Sequence, residues 1–139
     1  MEPEEIKIEV YDKRDKSITV LYVEQLSDNK FRMTDNDLFD YRLTLGTEFE
    51  TRINQEGKHE IIRITKESTY LTRRFLLSDR HKTSDYQFLG EELVKRGGHW
   101  QVDMGGIITI NLPKNAELDV DRIIKELGLN LIEIVNEGE

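Results

Sequence analysis

Ser68, Thr72 and Arg74 are the residues of this 139-residue sequence whose types and spacing come nearest to a ligand-holding set. They stand an even number of positions apart in the run Ser68-Thr-Tyr-Leu-Thr-Arg-Arg74, so in an extended strand their side chains share one face. Two hydroxyls and a guanidinium side by side can grip a carboxylate or a phosphate, because the planar guanidinium offers paired N–H donors that match two oxygens. The same three can instead form a buried polar link between the two modules, with Arg74 paired to a glutamate or aspartate. Trp100, beside His99, joins them as a recognition aromatic, although alternation within its own strand also suits it to the core. Ser68, Thr72, Arg74 and Trp100 are therefore the candidate ligand or partner site, and no catalytic or metal-ligating residue is expected.

Other chemistries find less support. His59, His81 and His99 are the only imidazoles, and none has a carboxylate at a recurring ligand spacing, so a zinc site is not expected. Asp35, Asp37 and Asp40 have the look of a calcium loop but lack the glycine and the closing glutamate that such a loop needs. Gly97-Gly98 and Gly105-Gly106 fit a helix stop and a hairpin turn rather than a phosphate cradle. Glu24 or Asp103 with Arg74 would be the working groups of a hydrolase or transferase, yet neither an activated nucleophile nor a base is paired with them. No cofactor is expected. Cysteine is absent, which removes disulfides, thiolate metal sites and cysteine nucleophiles together.

A net charge of −8 repels phosphate backbones, and neither Lys13-Arg-Asp-Lys16 nor Arg73-Arg74 makes a basic patch, so nucleic-acid binding is disfavoured. The same charge would draw in a basic protein partner. The sequence has no apolar run long enough to span a bilayer, and Met1-Glu-Pro-Glu-Glu5 has neither the basic nor the apolar part of a signal peptide, so no membrane contact and a cytoplasmic location are expected.

The elements that must carry these residues read as strands first, then a mixture. Ile6, Ile8 and Val10 alternate, and Ile18, Val20 and Tyr22 alternate again after the polar turn Asp12–Lys16, which predicts a hairpin. Phe31 and Met33, then Phe49, Thr51 and Ile53, then Glu60–Ile64 complete five short strands, with Gly57 in the last turn. A small antiparallel sheet or barrel over residues 1–66 is expected.

From residue 67 to 139 the period changes. Tyr70–Leu77 reads as a strand. Ser84 and Gln87 form a capping box for a helix with Tyr86, Leu89, Leu93 and Val94 on one face, stopped by Gly97-Gly98. Trp100, Val102 and Met104 alternate, Gly105-Gly106 turns the chain into Ile107–Leu112, and Pro113 ends that strand. Asp119 caps a second helix with Val120, Ile123, Ile124 and Leu127 inward, closed by Gly128, and Leu129–Ile134 supplies a last strand. The order β-α-β-β-α-β predicts an α+β fold whose second part is a ferredoxin-like split β-α-β module. The chain ends, rich in glutamate, are expected to be loose.

Three stretches resemble an uncharacterised bacterial family built from a small β module followed by an α+β module. Asp35-Asn-Asp-Leu-Phe39 with Leu45-Gly-Thr-Glu-Phe49 is similar to the family's Asn-x-Pro-Phe and Leu-Gly-Asp-x-Val segments. Ser68–Arg74 is similar to its Ser-Gly-His-x-Thr-x-Arg, and Gly106–Asp119 to its closing strand and helix lead-in. The resemblance implies a fold and a bacterial origin, and no established activity. Leu38 stands where the family has proline, Thr47 where it has aspartate, and Tyr70 where it has histidine, so any chemistry of that histidine is missing from this chain.

Charge, size and the lack of a catalytic set lead to a non-catalytic acidic binding protein, of the kind by which an immunity protein masks a basic partner. A regulatory small-ligand module acting as a homodimer is the alternative, since sheets of this kind often pair between subunits. A hydrolase or transferase is the third reading.

Overall fold

The computed structural model describes residues 4–38, 40–77, 83–104 and 106–134, with the side chains of 83–85 left aside. The chain is α+β and divides into two compact units, Met1–Thr69 and Tyr70–Glu139. Among the described residues no helix is long and apolar enough to cross a membrane. His81, Phe39, Gly105 and most of the glutamate-rich ends lie outside the described residues.

Five strands build the first unit: β1 (Glu5–Asp12), β2 (Ser17–Ser27), β3 (Lys30–Met33), β4 (Glu48–Ile53) and β5 (His59–Lys66). Each pairs antiparallel with the next, and β1 meets β5 in parallel at Val10 and His59, which closes a barrel. The β1–β2 turn forms because Asp15 accepts from the Ser17 N–H and Lys16 takes a positive φ of 55°. The β4–β5 turn is held by Asn54, whose Oδ1 accepts from the N–H groups of Glu56 and Lys58, with Gly57 at φ 80°. The interior is filled by Ile8, Val10, Leu21, Val23, Phe31, Met33, Leu43 and Phe49, each burial of a large apolar side chain stabilising by about 1.5–3 kcal/mol.

One strand reading needs correction, and another strand carries a bulge. In β2 the side chains that face inward are Leu21 and Val23, while Ile18, Val20 and Tyr22 face outward. The cause is register. Ile8 pairs with Leu21 and Ile6 with Val23, so the inner face of β1 meets the odd-numbered positions of β2 and the other stripe falls outside. In β5 a bulge between the pairs Glu50–Arg63 and Thr51–Ile61 skips Ile62, which is left exposed while Ile61 and Ile64 pack on the core.

The second unit comprises β6 (Tyr70–Leu77), α1 (Thr83–Lys95), β7 (His99–Asp103), β8 (Ile107–Pro113), α2 (Val120–Glu126) and β9 (Leu131–Ile134). Its strands lie in the order β7-β8-β6-β9 with every neighbour antiparallel. Phe75, Ile108, Ile110 and Leu112 from one sheet face share a core with Tyr86, Leu89 and Leu93 of α1 and Val120 of α2.

Both helix ends follow local chemistry. Gly97 turns to φ 79° so that it donates to Val94 and Gly98 to Leu93, and Gly128 and Leu129 repeat the pattern on Lys125 and Ile124. Asp119 caps α2 by accepting from the Arg122 N–H at 3.0 Å. The expected Ser84 cap falls where side chains are not described, and the backbone is already helical at Thr83. Val94 is exposed, one position round the helix from Leu93 and turned off the sheet. Met104 is not a strand residue. It takes φ 53° in the β7–β8 turn, where its side chain is exposed.

Candidate functional site

Of the four residues singled out by spacing, Ser68, Thr72 and Trp100 have partners within their own unit, and Arg74 is buried. Ser68 precedes β6, and its hydroxyl donates to the Leu45 carbonyl at 2.5 Å. Leu45 in turn donates its N–H to Oδ1 of the buried Asn36 at 2.9 Å, and Gly46 takes φ 88°. Ser68 and Asn36 thus meet at Leu45, where they fasten the segment between β3 and β4.

Thr72 and Arg74 face the same side of the β6–β8 pair as Thr109 and Asn111, away from the helices. Asn111 spans three strands: its Nδ2 donates to Thr72 Oγ1 at 2.8 Å, and its Oδ1 lies 3.4 Å from His99 Nδ1. Arg74, Thr109 and Asn111 are all buried. Sequence spacing found the β6 members of this polar row and missed Asn111, its centre, because cross-strand partners leave no local pattern.

Trp100 lies on the opposite, helix-facing side. Its ring stands edge-on to Tyr86 with centroids 5.9 Å apart and occupies the space over Gly90 of α1. Glu24 and Asp103, the carboxylates considered for catalysis, are held by Arg32 and Gln101. His59 is half-buried, with Nδ1 2.8 Å from Thr51 Oγ1 and the Phe31 ring edge-on at 5.1 Å. Among the described residues no group of three His, Asp or Glu has the geometry to hold a metal ion.

A cleft that spacing did not suggest opens at one end of the barrel. It has a volume of about 360 Å³, lies along the start of β2, and is faced across by Asp37, Asp40 and Leu43. Val10, Leu21 and Leu43 give it an apolar floor, and among the described residues its ionisable lining is Asp12, Asp15, Asp37 and Asp40. Asp12 and Asp40 also line a neighbouring cleft of about 320 Å³ that contains Arg14 and Arg42. The wall between the two is built twice over in the same way. Arg14 donates its N–H and Nε to Asp12 Oδ1 and its Nη2 to Oδ2, and Arg42 does the same to Asp40, with distances of 2.8–3.2 Å. The shared Asp-x-Arg spacing is the one sequence signal that could have found it.

The chain is similar in fold to a hypothetical protein from Neisseria gonorrhoeae. The likeness to that crystal structure has a TM-score of 0.63 over 96% of this chain and 95% of that one. At 17% identity it speaks for the fold alone. No family model and no curated protein matches the sequence.

Two of the cleft carboxylates, Asp12 and Asp40, titrate below the ordinary range. The Arg14 fork keeps Asp12 below the usual carboxylate range. Burial pushes Asp40 upward, but the bonds from Arg42 outweigh it and leave Asp40 lowered as well. Beside the second cleft, the buried Glu60 is lowered first by Asn54 and then by Lys13 and Arg52.

In the second unit Arg73, turned to the opposite sheet face from Arg74, forks both Asp121 and Glu133 at 2.8–3.2 Å and lies over Phe75. The fork lowers both carboxylates. A lowered carboxylate contributes stability above its unfolded value, 3.8 for Asp and 4.5 for Glu, and loses it as pH falls through the lower folded value. Because these partners are partly exposed, Arg73→Ala should cost only about 1 kcal/mol at neutral pH. That cost should shrink as the pH drops below the carboxylate range, which urea midpoints of the two proteins across the acid range would measure. An equal cost at every pH would mean that Arg73 acts through packing on Phe75 alone.

Proposed function

We propose that this chain is a non-catalytic protein-binding module that takes a basic partner at the acidic cleft of its barrel, as an immunity protein takes the protein it inhibits. The observation that carries this reading is the cleft itself: an apolar floor able to receive aliphatic stems, beneath a rim whose ionisable groups, among the described residues, are carboxylates. Lysine and arginine have that dual character, an apolar stem ending in a charge. The net charge of −8 adds long-range attraction that speeds the encounter. A cytoplasmic location goes with this reading.

The second unit is read as a ferredoxin-like module, supported by the antiparallel order β7-β8-β6-β9 with α1 and α2 packed on one sheet face. On this reading the first unit carries the binding site, and Ser68 in that unit and Thr72 and Arg74 in the second have structural roles.

The test is affinity capture from extracts of the source organism, with the full chain and an Asp15→Asn/Asp37→Asn variant as parallel baits. Asparagine keeps the carbonyl acceptor that serves Ser17 and Asp40 in each case. A basic protein should be retained in stoichiometric amount by the natural sequence and lost from the variant. Equal retention by both baits, or no stoichiometric protein on either, would overturn the proposal.

A further inference from the structure

We infer that the first half of β2 is a strand-addition site, where an extended basic segment of the partner pairs with the open backbone edge of Ser17–Leu21. The inference rests on the binding function proposed above and specifies how the partner is held.

The open edge follows from unequal strand lengths. β1 pairs with β2 over its whole first half, from Asp12–Ser17 to Glu5–Glu24. On the other flank β3 pairs only from Val23–Met33 onward. The Tyr22 carbonyl marks that flank, since it accepts from the Thr34 N–H at 3.2 Å. N–H and C=O groups alternate sides along an antiparallel strand, so those of Val20 and Ile18 also point to this flank. Among the described residues no strand pairs with them there.

Natural edges are usually blunted by lysine, proline or a bulge. The stretch Ser17-Ile-Thr-Val-Leu21 has none of these, and its outward side chains Ile18 and Val20 are about half exposed, at 52% and 48%. Tyr22 continues the stripe, with Lys7 over its ring. The acidic cleft runs along the same edge, lined by Ser17, Ile18, Thr19 and Leu21, and its volume of about 360 Å³ is that of a small binding pocket.

These features select the occupant. Main-chain bonds to Ile18 and Val20 require an extended segment, the outer stripe favours β-branched side chains beside it, and Asp15 and Asp37 favour lysine or arginine. A partner's strand of alternating basic and β-branched residues satisfies all three.

The test titrates the full chain, labelled for amide NMR, with the synthetic peptide Lys-Val-Lys-Val-Thr-Val-Lys at low salt. Hydrogen exchange at Ile18 and Val20 should slow by about fivefold or more at saturation, as expected when unpaired edge groups gain hydrogen-bond partners. Val20→Pro removes an N–H that serves no strand pairing, a place where proline is tolerated, and should keep the fold while losing peptide affinity by a similar factor. The same peptide N-methylated at alternate residues, used on the natural sequence, should fail to bind; this arm stands even if Val20→Pro does not fold.

Binding of peptide and N-methylated peptide alike, with Ile18 and Val20 unprotected, would overturn strand addition while leaving a charge-driven binding function in place. Failure of the peptide to bind would overturn strand addition too, and the capture experiment above then decides the fate of the wider reading separately. Protection of Ile18 and Val20 that grows with the protein's own concentration would assign the edge to a second copy of this chain, against the proposal.

Discussion

Phe49→Ala should destabilise the barrel by about 3–5 kcal/mol, the range for removing a fully buried aromatic ring. Phe49 is completely enclosed, stands opposite Phe31 across the β3–β4 pair, and has its ring centroid 5.8 Å from that of Phe31. Phe31 in turn is the ring against which His59 rests. The surrounding side chains are anchored on paired strands, so the space cannot close by collapse and the cavity cost adds to the lost burial. Since a domain is stable by only about 5–15 kcal/mol, the change removes a large part of the total.

The same variant has a second readout. Burial holds the His59 imidazole below its ordinary value of 6.5, so its charged form is disfavoured in the folded state. A group of this kind subtracts stability as pH falls below the unfolded value, because the unfolded chain takes up the proton first. If the Phe49 cavity admits water near Phe31, the His59 titration should move back up. Denaturant midpoints together with the imidazole proton shifts would measure both effects. A loss under about 1 kcal/mol would show that the core repacks.

Gly90→Ala should cost about 1–3 kcal/mol, although alanine is the better helix former by about 1 kcal/mol. A Cβ at this position would stand 2.5 Å from Trp100 Cδ2 and Nε1, inside the van der Waals surface of the indole. The ring cannot swing away freely, because Tyr86 stands edge-on to it and both sit in the helix–sheet core. Trp100→Leu in the same chain should recover much of the loss, since the shorter side chain vacates the space over Gly90. A cycle of the two single variants and the double, followed by thermal unfolding, isolates the coupling. A stable Gly90→Ala with no coupling would mean that the indole is mobile and available to a ligand, the role that its place beside His99 first suggested.

Local chemistry was legible in the sequence, and pairing was not. Gly97, Gly128 and Asp119 act within a few residues of themselves, so the ends of both helices and the start of α2 could be read directly. β2 could not be oriented, because Ile18-Val20-Tyr22 and Leu21-Val23 are both apolar at a spacing of two, and only the register against β1 chooses between them. The β5 bulge that exposes Ile62 is likewise set by the partner strand. Arg73 and Arg74, read as one dipeptide, belong to opposite sheet faces: one forks Asp121 and Glu133 beside α2, the other is buried in the row with Thr109 and Asn111. The cleft is the extreme case. Its lining comes from β1, β2, the turn between them and Asp37, Asp40 and Leu43, and beyond the repeated Asp-x-Arg spacing nothing local in the sequence joins them.

The claim that this cleft binds through its carboxylates is tested most directly by calorimetry of the natural chain and of Asp15→Asn/Asp37→Asn with the lysine-rich peptide. Between about 10 mM and about 100 mM salt the screening length falls from about 30 Å to about 10 Å. The natural chain should lose affinity steeply across that range, and the variant should bind weakly at low salt with little further change. An affinity insensitive to both salt and the two substitutions would contradict it.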